Sequence, residues 1–425
     1  MSEIEAELTR ILTKIAEAKC IKHYKAVADT VADIGNGFLS SFYKGEIHNQ
    51  DTGEIISVGI KMEPPFAGIN FAKFYKNEEV FYKDFLPAIL TLQAKTNMKD
   101  PFDNTATYFN SETGNINFIA LENVSDKGYK LHDKMAYLNR ECLEKIFKIY
   151  GKFHALSFVL RRRNWELYEK IHNQYSSDMF QYFVKPEKNA IILKKSITAA
   201  YESLDHDSKV YNELEALSEN CVKLYIKASE YRGKYWCSTH GDCWSNNMLF
   251  KYSDNGQVED IKLIDFQLAR DGSPIHDLAY FFYSGAAKED LYRIDEYLKI
   301  YHETFSNILK ALGEDPEELF PFEALLNEWK ENALLGVFLG IYLWQVKLLP
   351  KEKYQNIFNN PADEKKPNAE EWNEIFAKLL QKTLEGDKFR ERAKNILTQA
   401  FEYGIISKEK IENCFAGGYR LTVLG

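Results

Sequence analysis

The feature that most constrains this chain is a hairpin-like segment within residues 238–281. Two apolar runs, NMLFKY and VEDIKLIDF, flank the tripeptide Asp-Asn-Gly at 254–256, and Asn-Gly between apolar runs is the strongest short-range signal of a β-hairpin. Polar side chains gather before the first run and at the end of the second. Because the two ends of a hairpin lie side by side, we expect Asp242 and Asn247 to face Asp265.

This meeting of side chains suits a hard divalent cation. Two carboxylates close together repel each other unless a cation neutralises them, and Mg²⁺ takes one or two carboxylates, waters and substrate phosphates as oxygen ligands. Phosphoryl transfer uses such a set, with one Asp that accepts the hydroxyl proton and an Asn and a second Asp that hold metal. Asp242 with Asn247 five residues later matches that spacing, and IDFQ at 264–267 stands where kinases place D-F-G.

The rest of the chain predicts two lobes of different character. In the first third, strand-like runs surround the turns at 51–53 and 112–114. Between them, FAKFYKNEEVFYKDFLPAIL has apolar residues at helical spacing, including Phe74, Phe81 and Phe85 before Pro87. From about Tyr129 onward the pattern is mostly helical, with long predicted helices over 141–169 and 208–231.

We therefore predict an α+β fold with a small β-rich N-terminal lobe and a larger, mainly helical C-terminal lobe. The expected division is 1–123, including a leading helix, and 124–425. The most apolar stretch, at 333–344, is too short for a bilayer span and carries two glycines, so it indicates a buried helix. We expect no membrane span.

Charge and cysteine usage narrow the function classes. The net charge of -9 over 425 residues argues against a nucleic-acid binder, which needs a basic footprint. The six cysteines form no C-x-x-C pair or zinc spacing, which is typical of a reduced intracellular protein. The acidic, amphipathic N-terminus lacks the pattern of a signal peptide. A cytoplasmic location is the resulting expectation.

Two motifs carry a family resemblance. The segments HGDCWSNNMLF and LIDFQLARDGSPIHDLAYF resemble the ecdysteroid kinase-like (CHK kinase-like) branch of the choline kinase and aminoglycoside phosphotransferase superfamily, which has protein-kinase-like folds. The resemblance extends from about Ile34 to about Glu331. It implies a two-lobed, ATP- and Mg²⁺-dependent kinase. Such an enzyme transfers the γ-phosphate to a hydroxyl of a small lipophilic alcohol, here an ecdysteroid or another steroid or xenobiotic alcohol.

The resemblance also implies a role for particular residues. Asp242 corresponds to the catalytic base, and Asn247 and Asp265 correspond to the metal ligands. Lys61 corresponds to the strand lysine that contacts the α- and β-phosphates, and Glu78, with Glu79 as the competing assignment, to the helix glutamate that orients it. The implied adenine hinge consists of Glu122 and Val124, and the implied phosphate-covering loop consists of Gly35, Gly37, Ser40 and Ser41.

The chain differs from the related kinases at three places, and two residues near the motifs have an expected structural role. The first-lobe loop lacks a full G-x-G-x-x-G, Trp244 replaces a His found in many aminoglycoside and choline kinases, and Gln267 replaces the glycine of D-F-G. We expect His240 to hold the loop rather than act as a base. We expect Asp277 to cap its helix or tie the catalytic loop in place.

Other functional classes remain open from the sequence. A choline- or ethanolamine-type kinase is the alternative within the kinases, and a non-catalytic, pseudokinase-like binding module is the alternative outside them. A metal-dependent hydrolase that uses His240, Asp242, Asp265 and His276 would need more His and Asp ligands than the chain offers. The sequence leaves the oligomeric state and the identity of the acceptor open.

Overall fold

In a computed structural model of the protein, strands concentrate in the first part of the chain and helices in the remainder. The structure describes residues 2–33, 40–63, 72–114, 116–176, 180, 184, 187–349 and 369–416. Within these ranges the predicted α+β architecture, with a β-rich N-terminal lobe and a helical C-terminal lobe, is confirmed.

The strands and helices are numbered in chain order. The strands are β1 (Tyr24–Asp33), β2 (Ser41–Asn49), β3 (Ile55–Met62), β4 (Tyr108–Glu112), β5 (Phe118–Glu122), β6 (Tyr129–Leu131), β7 (Cys237–Thr239), β8 (Met248–Tyr252), β9 (Val258–Leu263) and β10 (Arg270–Gly272). The helices of the first half are α1 (Glu3–Ala18), α2 (Ala72–Val80), α3 (Leu86–Ala94), α4 (Arg140–Arg163), α5 (Trp165–His172), α6 (Glu187–Glu202), α7 (Lys209–Glu213) and α8 (Leu217–Ser229). The later helices are α9 (Pro274–Gly285), α10 (Lys288–Leu291), α11 (Ile294–Ala311), α12 (Pro316–Leu319), α13 (Phe322–Asn332), α14 (Leu334–Lys347), α15 (Ala369–Thr383), α16 (Asp387–Glu402) and α17 (Lys408–Ala416).

The N-terminal lobe is built on one antiparallel sheet with the strand order β1-β2-β3-β5-β4. Helix α1 places Leu8, Ile11, Leu12 and Ile15 on one face, the spacing of an amphipathic helix, and these side chains pack with apolar residues of the sheet. In the sheet, Lys61 of β3 lies between Phe42 of β2 and Ile119 of β5. This central position fixes the backbone from which the Lys61 side chain projects.

The helical segment predicted after β3 is present and continues past Pro87. α2 continues through a π-helical turn, Phe81–Phe85, into α3, which runs to Ala94. Pro87 lies in the first turn of α3. There, a residue without an N–H costs little. The proline is therefore compatible with a helical segment that runs on to Ala94.

Two other predicted helices are interrupted. The helix expected over 141–169 is divided into α4 and α5 at Asn164, whose side chain accepts from the amide of Leu167 and so caps the second helix. The helix expected over 208–231 is divided into α7 and α8. Hydrophobic periodicity continued across both breaks, so the sequence pattern concealed them.

The C-terminal lobe surrounds a helix that is buried on every side. All residues of α9 are buried, as expected of a helix inside a large core. Helix α14, the predicted buried apolar segment, lies directly against α9. A Cβ atom on Gly336 would lie 2.4 Å from the backbone carbon of Ala279, and one on Gly340 would lie 2.8 Å from the Cβ of Tyr283. The two glycines therefore permit contact between helices that a larger residue would push apart.

The predicted hairpin between residues 248 and 263 is confirmed. β8 and β9 pair with Met248 opposite Leu263, and Gly256 in the connecting turn has φ +81°. Beyond the last pair, the amide of Ile264 donates to the carbonyl of Asn247 at 3.0 Å. Asp265 follows directly, so the hairpin brings Asn247 and Asp265 to the same end.

Two further strand pairings of the C-terminal lobe were not predicted. The short strand β6 pairs with β8 and makes the hairpin a three-stranded sheet, and β7 pairs with β10. Both involve strands of three residues, too short to show an alternating pattern in the sequence.

Candidate active site

The amine of Lys61 is held by two carboxylates that come from different parts of the chain. Lys61 Nζ donates to Glu78 Oε2 at 2.7 Å and to Asp265 Oδ1 at 2.6 Å. Burial alone would lower the pKa of Lys61, but the negative charges of Asp265 and Glu78 outweigh it and raise the pKa above its ordinary value. Lys61 therefore remains a cation at the interface between the sheet and the C-terminal lobe.

The structure distinguishes the two candidate glutamates of α2. Glu78, with a side chain that is 1% exposed, is the partner of Lys61, and burial raises its pKa. Glu79 instead bonds to Lys76 at 3.0 Å and to Lys83 at 2.5 Å. Burial alone would raise the pKa of Glu79, but these two lysines lower it to about 2. Only Glu78 is in position to orient Lys61.

Asp242 is held by donors on both of its carboxylate oxygens. The hydroxyl of Tyr280 donates to Oδ1 at 3.0 Å, and the side-chain amide of Asn247 donates to Oδ2 at 2.8 Å. Burial and the negative charge of Asp265 raise the pKa of Asp242 to about 6, against the lowering effect of these donors. A carboxylate with a pKa near the working pH is suited to accept a proton.

The donor set around this point fits a hard cation. The side-chain amide nitrogen of Asn247 donates both to the carboxylate and to the backbone carbonyl of Asp242, each at 2.8 Å. The amide oxygen of Asn247 remains as the side-chain acceptor. Asp265 has a side chain that is 20% exposed and uses Oδ1 for Lys61, and its charge raises the pKa of Asp242. Mg²⁺ prefers oxygen ligands, and its charge would neutralise two carboxylates that otherwise repel each other. These residues could therefore hold it.

Asp265 itself has an unusual backbone. Its φ is +66°, in the left-handed region that most residues with a Cβ avoid. Aspartate tolerates this region better than most residues. The turn redirects the chain at the end of β9, where the side chain reaches Lys61. Unusual backbone at a candidate site is the kind of feature that motivates a functional hypothesis.

His240 has a structural position, as the sequence interpretation expected. Its Nδ1 accepts the amide of Asp242 at 3.2 Å, so Nε2 carries the proton and donates to the carbonyl of Ile264 at 3.0 Å. Burial lowers the pKa of His240, which keeps the ring neutral. The imidazole thereby joins the loop before β8 to the loop after β9. It also contacts the ring of Phe266, with centroids 4.3 Å apart.

Asp277 ties the loop that carries Asp242 to α9, one of the two roles proposed from the sequence. It is fully buried and accepts the backbone amides of His240 at 2.7 Å and Gly241 at 2.9 Å, as well as the thiol of Cys243 at 3.2 Å. Gly241 has φ +82°, and a Cβ there would lie 2.1 Å from the carbonyl oxygen of Leu268. Only glycine fits this turn.

Gln267 lies beside Lys61 and Asp242. Its Oε1 lies 3.5 Å from Lys61 Nζ, and the side chain opposes the rise of the Asp242 pKa. Its backbone carbonyl accepts the side chain of Asn77 at 3.2 Å. The residue that replaces the glycine of D-F-G is therefore packed into the site, with 7% exposure.

The candidate nucleotide-contacting groups of the N-terminal lobe are only partly within the described residues. Gly35 and Gly37 lie outside them. Ser40 precedes β2, and Ser41 pairs with Met62, next to Lys61. Glu122 ends β5, and Val124 opens a 3₁₀ helix, where the first amides lack intrahelical partners. The structure thus places Ser41 beside Lys61 and places the predicted hinge at the end of the sheet.

Sequence reasoning did not assign several residues of this site a role there. Tyr280 bonds to Asp242, and Asn77 joins α2 to both Gln267 and the amide of Ser176. A signal for Tyr280 was present, because it follows Asp277 by three residues and so lies on the same face of α9. Asn77 next to Glu78 gave no comparable signal.

Two kinds of feature are absent from the described residues. Within the ranges given above, no three His, Cys, Asp or Glu side chains form a group that could hold a metal ion. No helix in the described part of the chain is long and apolar enough to cross a bilayer.

Comparison with known proteins gives a family match. The model of the ecdysteroid kinase-like family matches residues 35–314, a span that contains Lys61, Glu78, Asp242, Asn247 and Asp265. No curated protein sequence is significantly similar to the chain. A solved structure titled glucosamine kinase (crystal form B) aligns over 81% of this chain and 81% of its own, with 12% sequence identity and a TM-score of 0.34.

Proposed function

This chain belongs to the ecdysteroid kinase-like family, and from that premise we propose that it transfers the γ-phosphate of ATP to a hydroxyl of a lipophilic alcohol. An ecdysteroid, or another steroid or xenobiotic alcohol, is the proposed acceptor class. The observation that carries the proposal is that five side chains from different elements of the fold meet in two directly bonded groups, Lys61 with Glu78 and Asp265, and Asp242 with Asn247.

Each group supports one part of the reaction. Lys61, oriented by Glu78, would neutralise phosphate oxygens of the nucleotide. Asp242 would accept the proton of the acceptor hydroxyl as that oxygen attacks phosphorus, since its raised pKa suits proton transfer. Asn247 and Asp265 would hold Mg²⁺, which when bound spreads the charge that develops on the transferring phosphoryl group.

The surrounding contacts support preorganisation of these groups. Asp277 fixes the backbone on the N-terminal side of Asp242, and His240 fixes this loop to the one that carries Asp265. Electrostatic catalysis depends on charges that are already aimed before the substrate arrives. A non-catalytic binding module would have no physical need for both a tethered base and a metal-holding pair.

The first test is the thermal stability of the protein with and without Mg²⁺ and ATP, for the natural chain and for Asp265→Asn. A ligand at a hundred times its Kd stabilises the folded state by roughly 2.7 kcal/mol, which is a visible shift in Tm. We expect a Mg²⁺-dependent shift that Asp265→Asn weakens. No shift at millimolar ATP would contradict the kinase mechanism and favour the pseudokinase-like alternative.

The second test concerns the acceptor. ADP release is measured with ecdysone, with choline and with no added acceptor, and the products are analysed for phosphate gain. Phosphorylation of ecdysone is the expected result. Phosphorylation of choline alone would replace the proposed acceptor class with that of the choline-type kinases and leave the transfer chemistry intact.

A further inference from the structure

The hydroxyl of Tyr280 makes a bond whose purpose the mechanism above leaves unexplained. It donates to Asp242 Oδ1 at 3.0 Å from the second turn of α9. The side chain is buried, with 5% exposure, and burial raises the pKa of its hydroxyl well above the ordinary value. The phenol is therefore a permanent donor in this position.

The two donors to Asp242 act on different oxygens. Asn247 donates to Oδ2 and Tyr280 to Oδ1. With the Asn247 bond alone, the carboxylate could still turn about its last side-chain torsion, which has a broad energy profile. A second donor on the other oxygen removes that freedom. An ionised carboxylate offers about four acceptor positions, so positions remain for the proton of a substrate.

A single helix defines both the backbone and the side chain of the candidate base. Asp277 accepts the amides of His240 and Gly241, and Tyr280, one turn later on the same face of α9, holds the carboxylate of Asp242. Since α9 is buried along its whole length, it provides a rigid reference. Helix α9 therefore limits both the movement of the loop and the rotation of the Asp242 carboxylate.

We propose that Tyr280 is a positioning residue for the reaction: its hydroxyl fixes the plane of the Asp242 carboxylate so that a free acceptor position faces the incoming substrate hydroxyl. The inference rests on the proposed phosphoryl transfer. Tyr280 acts through Asp242 and takes no proton itself. Its effect is therefore expected on turnover and not on nucleotide binding.

The test compares Tyr280→Phe with a matched control, Tyr283→Phe. Tyr283 lies on the same helix, is also buried and donates to Gln399 Oε1 at 2.7 Å, away from Asp242. We expect Tyr280→Phe to lower kcat about tenfold, the effect of losing one hydrogen bond to a charged group. KM for ATP should change by less than twofold. The shift in Tm with Mg²⁺ and ATP should be unchanged within error. Tyr283→Phe should leave kcat unchanged.

A double-mutant cycle with Asp242→Asn separates positioning from a structural role. If Tyr280 acts only through Asp242, then Tyr280→Phe should cost no further kcat in the Asp242→Asn background. The same cycle in unfolding free energy of the nucleotide-free protein tests the contact without any turnover. Tyr280→His, which keeps a ring N–H donor, should recover part of the kcat that Phe loses.

The outcomes distinguish this inference from the proposed function. Turnover of ecdysone or hydrolysis of ATP by the natural chain, together with equal turnover by Tyr280→Phe, overturns the positioning role alone. Equal losses of kcat in both Asp242 backgrounds also overturn it. Absence of any turnover by the natural chain overturns the proposed function, and the positioning role with it, even if the stability cycle detects the contact.

Discussion

Lys61 and Asp265 join the two lobes through an ion pair in which the lysine amine lies 2.6 Å from the carboxylate. Lys61 belongs to the central part of the N-terminal sheet, whereas Asp265 follows the C-terminal hairpin. The pair is largely buried, with the lysine side chain 13% exposed. Removing one partner of such a pair leaves the other charge uncompensated.

Lys61→Met should therefore cost both stability and nucleotide binding. Glu78 and Asp265 would lose their shared cation, and we expect the free energy of unfolding to fall by about 3 kcal/mol. The increase in Tm with Mg²⁺ and ATP should disappear. Lys83→Met is the control, because Lys83 pairs with Glu79 while its side chain is 43% exposed. An exposed pair is worth about 1 kcal/mol or less, and the nucleotide shift should remain. Equal behaviour of the two variants would contradict this account.

Asp242→Asn should remove activity and yet stabilise the metal-free protein. The pKa of Asp242 is about 6 when folded, above the ordinary value of 3.8. Ionised Asp242 therefore destabilises the folded protein fully above pH 6, and this destabilisation disappears as the pH falls to the ordinary pKa of 3.8. We expect kcat to fall by about 10²- to 10⁴-fold.

The matching stability measurement is denaturant unfolding of the natural chain and Asp242→Asn at pH 5 and pH 8, without metal. The shift in pKa corresponds to about 1–3 kcal/mol. Asp242→Asn should be the more stable protein at pH 8, by a margin that shrinks at pH 5. A margin that is independent of pH would show that the effect does not come from ionisation.

Lys347 provides a pH dependence far from the candidate metal ligands. It is 1% exposed and donates to the carbonyl of Ser284 at 2.8 Å, near the end of α9. Burial and the nearby Arg392 lower its pKa to about 7. Between this value and the ordinary lysine pKa, the unfolded chain binds the proton and the folded chain does not, so the stability contribution of Lys347 rises with pH in that range.

Lys347→Met should therefore stabilise the protein more at pH 7 than at pH 9. The difference between the two gains should be about 2 kcal/mol, measured as unfolding free energy. Lys299→Met, at an exposed position of α11, is the control and should give the same small effect at both pH values. A change in stability that is equal at both pH values would contradict the lowered pKa of Lys347.

Gly336→Ala should impair the candidate site from a distance. The added methyl would lie 2.4 Å from the backbone of Ala279 and 2.7 Å from the amide of Tyr280, so α9 and α14 would have to separate. We expect a loss of about 1–3 kcal/mol in stability and a lower kcat. Gly386→Ala is the control, because its nearest contact would be an ordinary 3.7 Å. Unchanged kcat in Gly336→Ala would show that the site tolerates movement of α9.

Local patterns predicted much of this architecture. The Asn-Gly turn predicted the hairpin that brings Asn247 and Asp265 together, because turn chemistry and strand periodicity are properties of a few adjacent residues. The same sequence could not distinguish Glu78 from Glu79. Both lie on α2, and the choice depends on which face of that helix meets Lys61.

Contacts between distant segments were beyond local reasoning. The partners of Asp277 come from a loop more than thirty residues away in the sequence, and the pairing of β6 with β8 joins strands of three and five residues. Such pairings are decided by the packing of the whole lobe. The breaks at Asn164 and between α7 and α8 were hidden because apolar periodicity continued through them.

The ring of Phe81 stacks on the ring of Phe266, with centroids 3.5 Å apart and planes 6° from parallel. Swinging α2 away would separate these rings, break the bond from Asn77 to Gln267 and pull Glu78 off Lys61 at the same time. The contacts that assemble the candidate site thus form when α2 and its π-helical turn pack against the loop after β9. We expect phosphate-transfer activity to be proportional to the amount of folded protein.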